Sequence, residues 1–439
     1  MLDPNIAVLI SLPLVLSLLI AGIPVFVSLG LTGLIGIFLI EGINFGLIQL
    51  KAFPYTNTAS YLLVVIPLFI IMGNFAYNAG MTRDFYDVGH KWLSRLPGGL
   101  AITTIGASGL FAACSGSSVA TAATMGTVAV PEMERLGYDS KLACGVVAAG
   151  GTLGVMIPPS VLLVFYGAVT ETSAGHMLIA GVIPGIVSVI IFILGILFMA
   201  WRDPSLAPSP VKVSLREMII SLKGIWSMAV LFAGVIGGLY IGWFTPTEAA
   251  AVGATIAFIF MLTRKKGGSN KLWARITYCF TDCLRTTAMV FIVIIGAGLY
   301  AYFLTLAQVP QAVCAWAGSA PIPPLAVVAL FSLIYIPLGM FVDSFSVLLI
   351  TLPIMFPVVV DVFGMSPIWF GVLSTELCEI GLITPPVGLN VYVLAGVVRH
   401  VPLPDIFRGC FPFVIMQFIM TALLFAIPEM ATWLPATMH

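Results

Sequence analysis

The sequence is poor in charged residues. Only 8% of its 439 residues are Asp, Glu, Lys or Arg, the formal net charge is zero, and there are four histidines. A soluble protein of this length needs far more charge to cover its surface. No cluster of Lys and Arg is large enough for the electrostatic footprint of a nucleic-acid-binding protein. The composition therefore excludes a soluble protein and predicts that nucleic acid is not a partner.

The signatures of several enzyme classes are also missing. The chain has no G-x-x-x-x-G-K-[ST] loop, no H-E-x-x-H motif and no G-x-S-x-G elbow. Its seven cysteines form no C-x-x-C pair and mostly lie in apolar segments, so we interpret them as small apolar residues rather than disulfides or metal ligands. These absences predict that the chain is not an enzyme and has no ATPase of its own.

Long apolar runs are what the sequence has instead. The chain is 60% hydrophobic with a mean hydropathy of +1.13, and runs long enough for a membrane span of about 20 residues recur from one end to the other. The run from Ile6 to Ile40 is too long for a cleaved signal peptide and long enough for two spans. We predict an all-α polytopic membrane protein without a soluble domain.

Two of the apolar segments are interrupted by paired prolines. In Glu376–Asn390 (ELCEIGLITPPVGLN), Pro385 and Pro386 remove two backbone donors. Gly154–Pro159 (GVMIPP), in the first half of the chain, has the same Gly-x-x-x-Pro-Pro spacing as Gly381–Pro386. Lipid cannot satisfy the backbone groups that such a break exposes, so the break must be buried in protein or line a wet cavity. We therefore predict two broken helices at membrane depth.

A candidate re-entrant hairpin precedes each broken segment. The small-residue stretch Gly106–Gly126 is too polar at its centre, and its arms are too short, for two ordinary spans. We predict a helical hairpin with its tip at Ser115–Ser118. The second candidate hairpin runs from Leu325 to Gly364, with its tip near Gly339–Ser346.

A basic, proline-rich linker divides the chain into two similar halves. The first repeat is predicted at 1–200, the linker at 201–224 and the second repeat at 225–439. When the two Gly-x-x-x-Pro-Pro breaks are aligned, Ser117 matches Ser344 and Ser115 matches Val342. Each half shows about five spans plus one hairpin, and an odd number of crossings makes the second half upside down relative to the first. The sequence predicts two inverted-topology repeats.

Loop charges support this inversion. The loop at 41–60 has one Lys and that at 81–97 has three Lys or Arg. In the second half, the loop after the second span has five, and the loop at 308–324 after the third has none. The positive-inside rule then places the linker in the cytoplasm and both termini outside. Val213–Trp226 and Leu272–Leu284 interleave apolar and basic residues at helical spacing, which predicts interfacial amphipathic helices; plain loops are the alternative.

Inverted repeats, hairpins and broken helices together are typical of secondary transporters. Unwound backbone can supply carbonyl oxygens to a hard cation, so we predict two cation sites related by pseudosymmetry; close packing of small residues is the alternative. Asp343 either binds a cation or fixes its hairpin through backbone N–H groups. Glu379 is expected to hold the unwound backbone, and Glu376 to face an aqueous cavity. Asn390 either caps the half-helix after the break or contacts substrate.

Four stretches carry a resemblance to a known family. SGSSVATAATMG, GGTLGVMIPPS, GMFVDSFSVLLITLPIMFP and EIGLITPPVGLN resemble the large membrane (M) subunit of TRAP transporters, the tripartite ATP-independent periplasmic family, and the likeness covers the whole chain. It implies an elevator-type symporter of the bacterial inner membrane that takes up a carboxylate, with Na⁺ as coupling ion and no organic cofactor. It also implies two protein partners, a small four-span membrane (Q) subunit and a periplasmic solute-binding (P) protein.

The resemblance further implies site residues. One sodium site would use mainly backbone oxygens around Ala112, Ser115, Gly154, Ile157 and Pro159, and its symmetry mate would use Gly339, Asp343, Gly381, Thr384 and Pro386. Substrate would lie between the hairpin tips, near Ser117, Ser118, Ser344 and Asn390. The scaffold would cover 5–60 and 225–285, and the moving elements about 61–200 and 286–428.

Two other functions compete with this interpretation. A stand-alone ion or carboxylate transporter of similar architecture would need no binding protein. A channel or a polytopic membrane enzyme is disfavoured, because two inverted halves suit alternating access and no nucleophile–base or metal set is visible in the sequence. Saturable, gradient-driven accumulation separates a transporter from both.

Overall fold

The computed structural model describes residues 2–208, 214–264 and 269–438, and every regular element in these ranges is helical. The α-helices, in chain order, are α1 Pro4–Ile20, α2 Val25–Glu41, α3 Ile43–Thr58, α4 Val65–Asn78, α5 Met81–Leu93, α6 Gly99–Ser115, α7 Ser118–Arg135, α8 Ser140–Leu153, α9 Val161–Val169, α10 Ala174–Ala180, α11 Val182–Arg202, α12 Leu215–Ser221, α13 Trp226–Phe232, α14 Gly238–Tyr240, α15 Pro246–Thr263, α16 Ser269–Leu306, α17 Val309–Ser319, α18 Pro324–Phe341, α19 Ser344–Phe356, α20 Pro367–Leu382, α21 Leu389–Val397, α22 Leu403–Ala426 and α23 Glu429–Ala436. Short 3-10 turns lie at Tyr61–Val64, Pro204–Leu206 and Leu222–Gly224, and π-helical segments at Ala233–Gly237 and Pro357–Val362.

Many of these helices are long and apolar enough to cross a membrane. Seven helical stretches of the described residues qualify, and an eighth does if the bent pair Leu215–Gly224 and Trp226–Tyr240 is taken as one span. Four further apolar helices are shorter, among them α1 and α2 with 17 residues each. The predicted all-α polytopic membrane protein is confirmed.

The order of elements recurs along the chain. In the first half, the hairpin α6–α7 is followed by α8 and α9 with a break between them, and in the second half α18–α19 is followed by α20 and α21. The broken helices begin at Ser140 and Pro367, which are equivalent positions when Gly154 is aligned with Gly381. Each hairpin packs against the first helix of its own broken pair. Hairpin tips and breaks therefore meet at the same place in both halves.

Three segments predicted as loops are helical. The loop predicted at 41–60 is mostly α3, that at 81–97 is mostly α5, and that at 308–324 is mostly α17. In α5 Arg83 and Asp87 are exposed while Met81 and Val88 are buried. A connecting segment that forms a helix satisfies its backbone N–H and C=O groups internally. Charged side chains on one face of that helix do not prevent this.

The two predicted amphipathic helices have different outcomes. Leu272–Leu284 is not a separate element, because it is the first part of the 38-residue helix α16. Of Val213–Trp226, residue 213 lies outside the described residues, together with 209–212 of the linker; the described part contains α12. α12 packs on α5, where the indole of Trp92 donates a hydrogen bond to the Met218 carbonyl at 3.0 Å.

Glycines let helices of the two halves cross at backbone contact. α2 packs against α16 and α15 packs against α4, so each half contributes one helix to each of the two interfaces. A Cβ atom on Gly296 of α16 would lie 2.1 Å from the Phe26 carbonyl oxygen. At the crossing of α8 and α22, a Cβ atom on Gly145 would lie 2.1 Å from the Gly409 carbonyl oxygen. Small residues at these contacts are how membrane helices approach closely.

We expect Gly145→Val to push α8 away from α22 and to lower the melting temperature of the detergent-solubilised protein. Overpacking at such a contact costs about 1–3 kcal/mol. The matched control is Gly396→Ala in α21, where an added Cβ atom meets nothing within 4 Å. A melting temperature of Gly145→Val equal to that of the control contradicts the crossing.

Candidate functional site

Both hairpin tips lie where the sequence predicts them. α6 ends at Ser115 and α7 begins at Ser118, with Gly116 in the left-handed conformation (φ 67°) that a glycine adopts without strain. Ser117 caps α7 by accepting a hydrogen bond from the Ala120 N–H at 3.2 Å. In the second hairpin, α18 ends at Phe341 and α19 begins at Ser344.

Asp343 fixes the second hairpin. Its Oδ1 accepts hydrogen bonds from the N–H groups of Phe345 and Ser346 at 3.1 and 3.2 Å, and its Oδ2 accepts one from the Ser346 hydroxyl at 2.6 Å. Of the two roles considered for this carboxylate, the cap is observed, and the role of cation ligand stays a prediction.

The equivalence of the two tips is shifted by one position from the predicted alignment. Ser118 and Ser344 each begin the second helix of a hairpin, whereas alignment of the breaks pairs Ser344 with Ser117. Ser118 is thus the structural counterpart of Ser344. The second helix of the later hairpin, with its π-helical end, has 19 residues against 18 in α7. A π segment accommodates one extra residue in a helix, so the alignment of the breaks is restored beyond the hairpin.

Each tip packs directly on the break of its own half. A Cβ atom on Gly154 would lie 2.0 Å from the Ala112 Cβ, and one on Gly381 would lie 2.5 Å from the Gly339 Cα. The alignment that pairs Gly154 with Gly381 also pairs Ala112 with Gly339, so the two contacts are equivalent. The structure therefore brings together one pair of predicted cation-site residues in each half, without room for a side chain at either glycine.

The remaining residues of the two predicted sodium sites are distributed unequally. Ser115 donates to the Ala112 carbonyl at 3.4 Å, whereas Ile157 lines a separate apolar cavity of about 530 Å³. Thr384 is tied to its own helix, because its hydroxyl donates to the Ile380 carbonyl at 2.5 Å. Pro159 is buried but Pro386 is exposed. Both Pro–Pro bonds are cis, at 158–159 and at 385–386.

Glu379 joins the two hairpins. Its Oε2 accepts a hydrogen bond from the Ser118 hydroxyl at 2.5 Å, and its Oε1 accepts one from the Ser344 hydroxyl at 2.8 Å. The Glu379 side chain is fully buried. The expected role in holding the unwound backbone is thus replaced by contacts to the hairpin tips. Ser118 and Ser344, both predicted to contact substrate, thus donate hydrogen bonds to Glu379.

The other polar residues near the second break face protein. Asn390 is fully buried, and its amide donates to the Ala148 carbonyl of α8 at 3.2 Å. Glu376 is 3% exposed rather than facing an aqueous cavity, and its Oε1 has no hydrogen-bond partner among the described residues. Neither residue lines the cavities around the hairpin tips.

A large cavity lies beside the first hairpin tip. Its volume is about 800 Å³, and it reaches from the tip to α16, α4 and α21. Among the lining residues with polar side chains are Asn74, Ser115, Ser117, Thr124, Asp282, Arg285 and Asp343. A smaller cavity of about 50 Å³ between the tips is lined by Ser118, Ser344 and Glu379. Of the four predicted substrate residues, Ser117 faces the larger cavity.

Sequence reasoning missed the charges that α16 brings to this cavity. Asp282 and Arg285 lie one helical turn apart, and Asp282 accepts a hydrogen bond from the Asn74 amide at 3.1 Å. Arg285 forms no ion pair with a carboxylate of the described residues. The signal was present as helical spacing that continues from Leu272–Leu284 into the following span. Leu272–Leu284 and the following span form one helix, so Asp282 and Arg285 face the same side of α16.

Comparison with known proteins decides the family. The family model described as "Tripartite ATP-independent periplasmic transporter, DctM component" matches residues 12–430. The chain belongs to this DctM family. The predicted family is therefore confirmed over nearly the whole chain, and with it a transporter permease rather than an enzyme.

The names of proteins similar to this permease mention different substrates. The C4-dicarboxylate TRAP transporter large permease protein DctM of Pseudomonas aeruginosa is 35% identical over 93% of each chain. The sialic acid TRAP transporter large permease protein SiaM of Vibrio cholerae is 31% identical over 96% of each chain. In Oleidesulfovibrio alaskensis, the isethionate TRAP transporter permease protein DctMQ is 30% identical over 95% of this chain and 64% of its own length.

A solved structure shares the fold. The Alcanivorax borkumensis YdaH transporter superposes with a TM-score of 0.59 over 89% of each chain, at 15% sequence identity. This likeness concerns the fold alone.

We expect Gly381→Ala to loosen the contact between the second tip and its break. The added methyl group cannot fit against the Gly339 backbone, so the last turn of α18 must move. Amide hydrogen exchange of the permease should accelerate at residues 336–341. Gly109→Ala in α6 is the control, because its added Cβ meets only side-chain atoms, at 3.4 Å or more. Equal exchange in both variants rules out a tight contact.

Proposed function

We propose that this permease is the transmembrane subunit of a sodium-coupled symporter that takes up an organic carboxylate. The observation that supports it most is the duplicated contact of tip and break, Ala112 with Gly154 and Gly339 with Gly381. In each half, a helix end and an interrupted helix meet where prolines leave carbonyl groups without helical N–H partners. Carbonyl oxygens are the ligands that hard cations take from unwound membrane helices.

The proposed sodium ligands are main-chain oxygens. One site uses the region of Ala112, Ser115, Gly154, Ile157 and Pro159, and the other that of Gly339, Asp343, Gly381, Thr384 and Pro386. Coordination by main-chain oxygens does not depend on the side chain. It is therefore compatible with different residues at equivalent positions of the two halves, such as Ala112 and Gly339. It also fits the described residues, which contain no group of three or more His, Cys, Asp or Glu able to hold a metal ion.

The proposed substrate site is the larger cavity, with Arg285 as its anion-binding group. The two aspartates of the lining already accept hydrogen bonds, Asp343 from the N-terminus of α19 and Asp282 from Asn74. Arg285 presents a planar array of donors that matches a carboxylate. Ser117, at the first tip, also lines the cavity and supplies a hydroxyl for hydrogen bonding.

The proposed transport cycle is an elevator movement of inverted repeats. The two hairpins and the broken helices move against a scaffold formed by the first spans of each half. Arg285 lies at the boundary of the two parts, within α16, and contacts the substrate where the hairpins lie in this structure. The recurrence of hairpin, half-helix and break in the same order in both halves supports this division. The proposed setting is the bacterial inner membrane, with the N-terminus in the periplasm.

Two partners complete the proposed transporter. A four-span membrane subunit accompanies the permease, and a periplasmic binding protein delivers the carboxylate. The name DctMQ of the relative from Oleidesulfovibrio alaskensis, 64% of whose length matches this chain, supports a second membrane component.

We expect uptake to require both a sodium gradient and the binding protein. Genes for a binding protein and a four-span protein are first sought beside the gene of this chain; their products are purified, and the ligand of the binding protein is identified by mass spectrometry. That carboxylate is then offered to proteoliposomes containing the permease and the four-span subunit. Uptake that persists in sodium-free buffer contradicts the coupling. Uptake that needs no binding protein supports the stand-alone transporter instead.

We expect Arg285→Gln to raise KM for the carboxylate about tenfold, the loss of one charge-assisted hydrogen-bonded contact. Arg285→Lys should recover part of the affinity, because the charge remains but the planar fork is lost. Arg216→Gln on α12 serves as the control, since this residue lies on the surface away from the cavity. An unchanged KM in Arg285→Gln excludes this arginine from the substrate site.

A further inference from the structure

Glu379 is the side chain on which both hairpin tips converge. It lies on α20, just before Gly381, and is 0% exposed. Ser118 of the first hairpin and Ser344 of the second donate to different oxygens of the same carboxylate, at 2.5 and 2.8 Å. One side chain thus connects hairpins that belong to opposite halves of the chain.

The surroundings of this carboxylate make it depend on both tips. Its serine partners are the first residues of α7 and α19, so the positive ends of two helix dipoles lie next to it. The described residues that line the small cavity around it include Asp343 but no Lys, Arg or His. A buried carboxylate without a cationic partner is stabilised by the hydrogen bonds it accepts. Withdrawal of either tip would remove half of them.

We infer that Glu379 is a positioning residue that couples the two hairpin tips, so that neither tip leaves its break without destabilising the other. Each tip packs on its own break through Ala112 and Gly154 or through Gly339 and Gly381. A tip that moves away to admit an ion must also release its serine from Glu379. The extension of this coupling to the two sodium sites rests on the proposed function.

Glu376 provides a matched comparison. It lies one turn before Glu379 on α20 and is nearly as buried, at 3% exposed. No hydrogen bond links its Oε1 to any described residue, so it makes no comparable bridge from that oxygen. Gln at either position keeps the shape of the side chain and removes a carboxylate. A difference between the two variants therefore reports the bridge rather than the loss of a buried acid.

The first experiment measures amide hydrogen exchange at both tips in the complete transporter. Ser118→Ala changes the first hairpin only, yet it should accelerate exchange at residues 339–346 of the second by about tenfold, the factor expected for one hydrogen bond to a charged group. Ser344→Ala should act on residues 112–118 in the same way. Glu379→Gln should accelerate exchange at both tips, and Glu376→Gln at neither. Acceleration confined to the substituted hairpin overturns the coupling.

The second experiment measures uptake of the identified carboxylate against sodium concentration. A requirement for two sodium ions makes the dependence sigmoidal even with independent sites, and coupling steepens it further, so Glu379→Gln should lower the Hill coefficient to the value of two independent sites. A Hill coefficient that stays the same in this variant overturns the coupling of the ion sites. If the unmodified permease takes up solute without sodium, the proposed function fails, while the exchange experiment still decides whether Glu379 couples the tips.

Discussion

Backbone hydrogen bonding in apolar surroundings is the constraint on which this structure depends. The helices α8 and α20 stop at Leu153 and Leu382, inside apolar sequence, and the prolines that follow cannot restore the lost hydrogen bonds. Lipid offers no replacement, so the exposed groups must be covered by protein. The hairpins provide the cover, because their first helices end on the glycines at which the breaks begin. Glycine at 154 and at 381 is a requirement of this contact, since the opposing backbone or Cβ would lie within 2.5 Å of an added Cβ atom.

Both halves have the contact between a hairpin tip and a broken helix, but only the second half has a carboxylate beside it. The position equivalent to Glu379 in the first half is Thr152, whose hydroxyl donates to the Ala149 carbonyl and accepts a hydrogen bond from Gln417 of α22. Thr152 thus links its half-helix to a neighbouring long helix, whereas Glu379 links its own to both tips. An exact repeat would place a second carboxylate in the centre of the site. The single carboxylate can be satisfied by the two available serine hydroxyls, and a second one would have none.

Sequence reasoning located what local chemistry decides and missed what packing decides. The hairpin tips and the breaks follow from proline, glycine and serine at fixed spacing, and both were predicted within a few residues. The shift by one position between Ser118 and Ser344 could not be seen, because it is compensated only in the π-helical segment Pro357–Val362. Nor could the length of α16, since no proline or glycine separates its polar first part from its apolar remainder, and a change of polarity does not end a helix.

The charged residues around the proposed substrate site are distributed unevenly. The carboxylates of Asp343 and Glu379 lie on the hairpin and the broken helix, where serine hydroxyls and backbone N–H groups occupy them. Arg285, by contrast, projects into the cavity from α16, which packs against α2 of the other half. An anionic solute in that cavity would therefore be attracted by Arg285 from the α16 side and by the positive end of the α7 dipole from the first tip. The proposed cation ligands are main-chain oxygens where each hairpin meets its break, whereas the proposed anion-binding group is a side chain of α16, so the proposed cation and anion would not compete for the same residues.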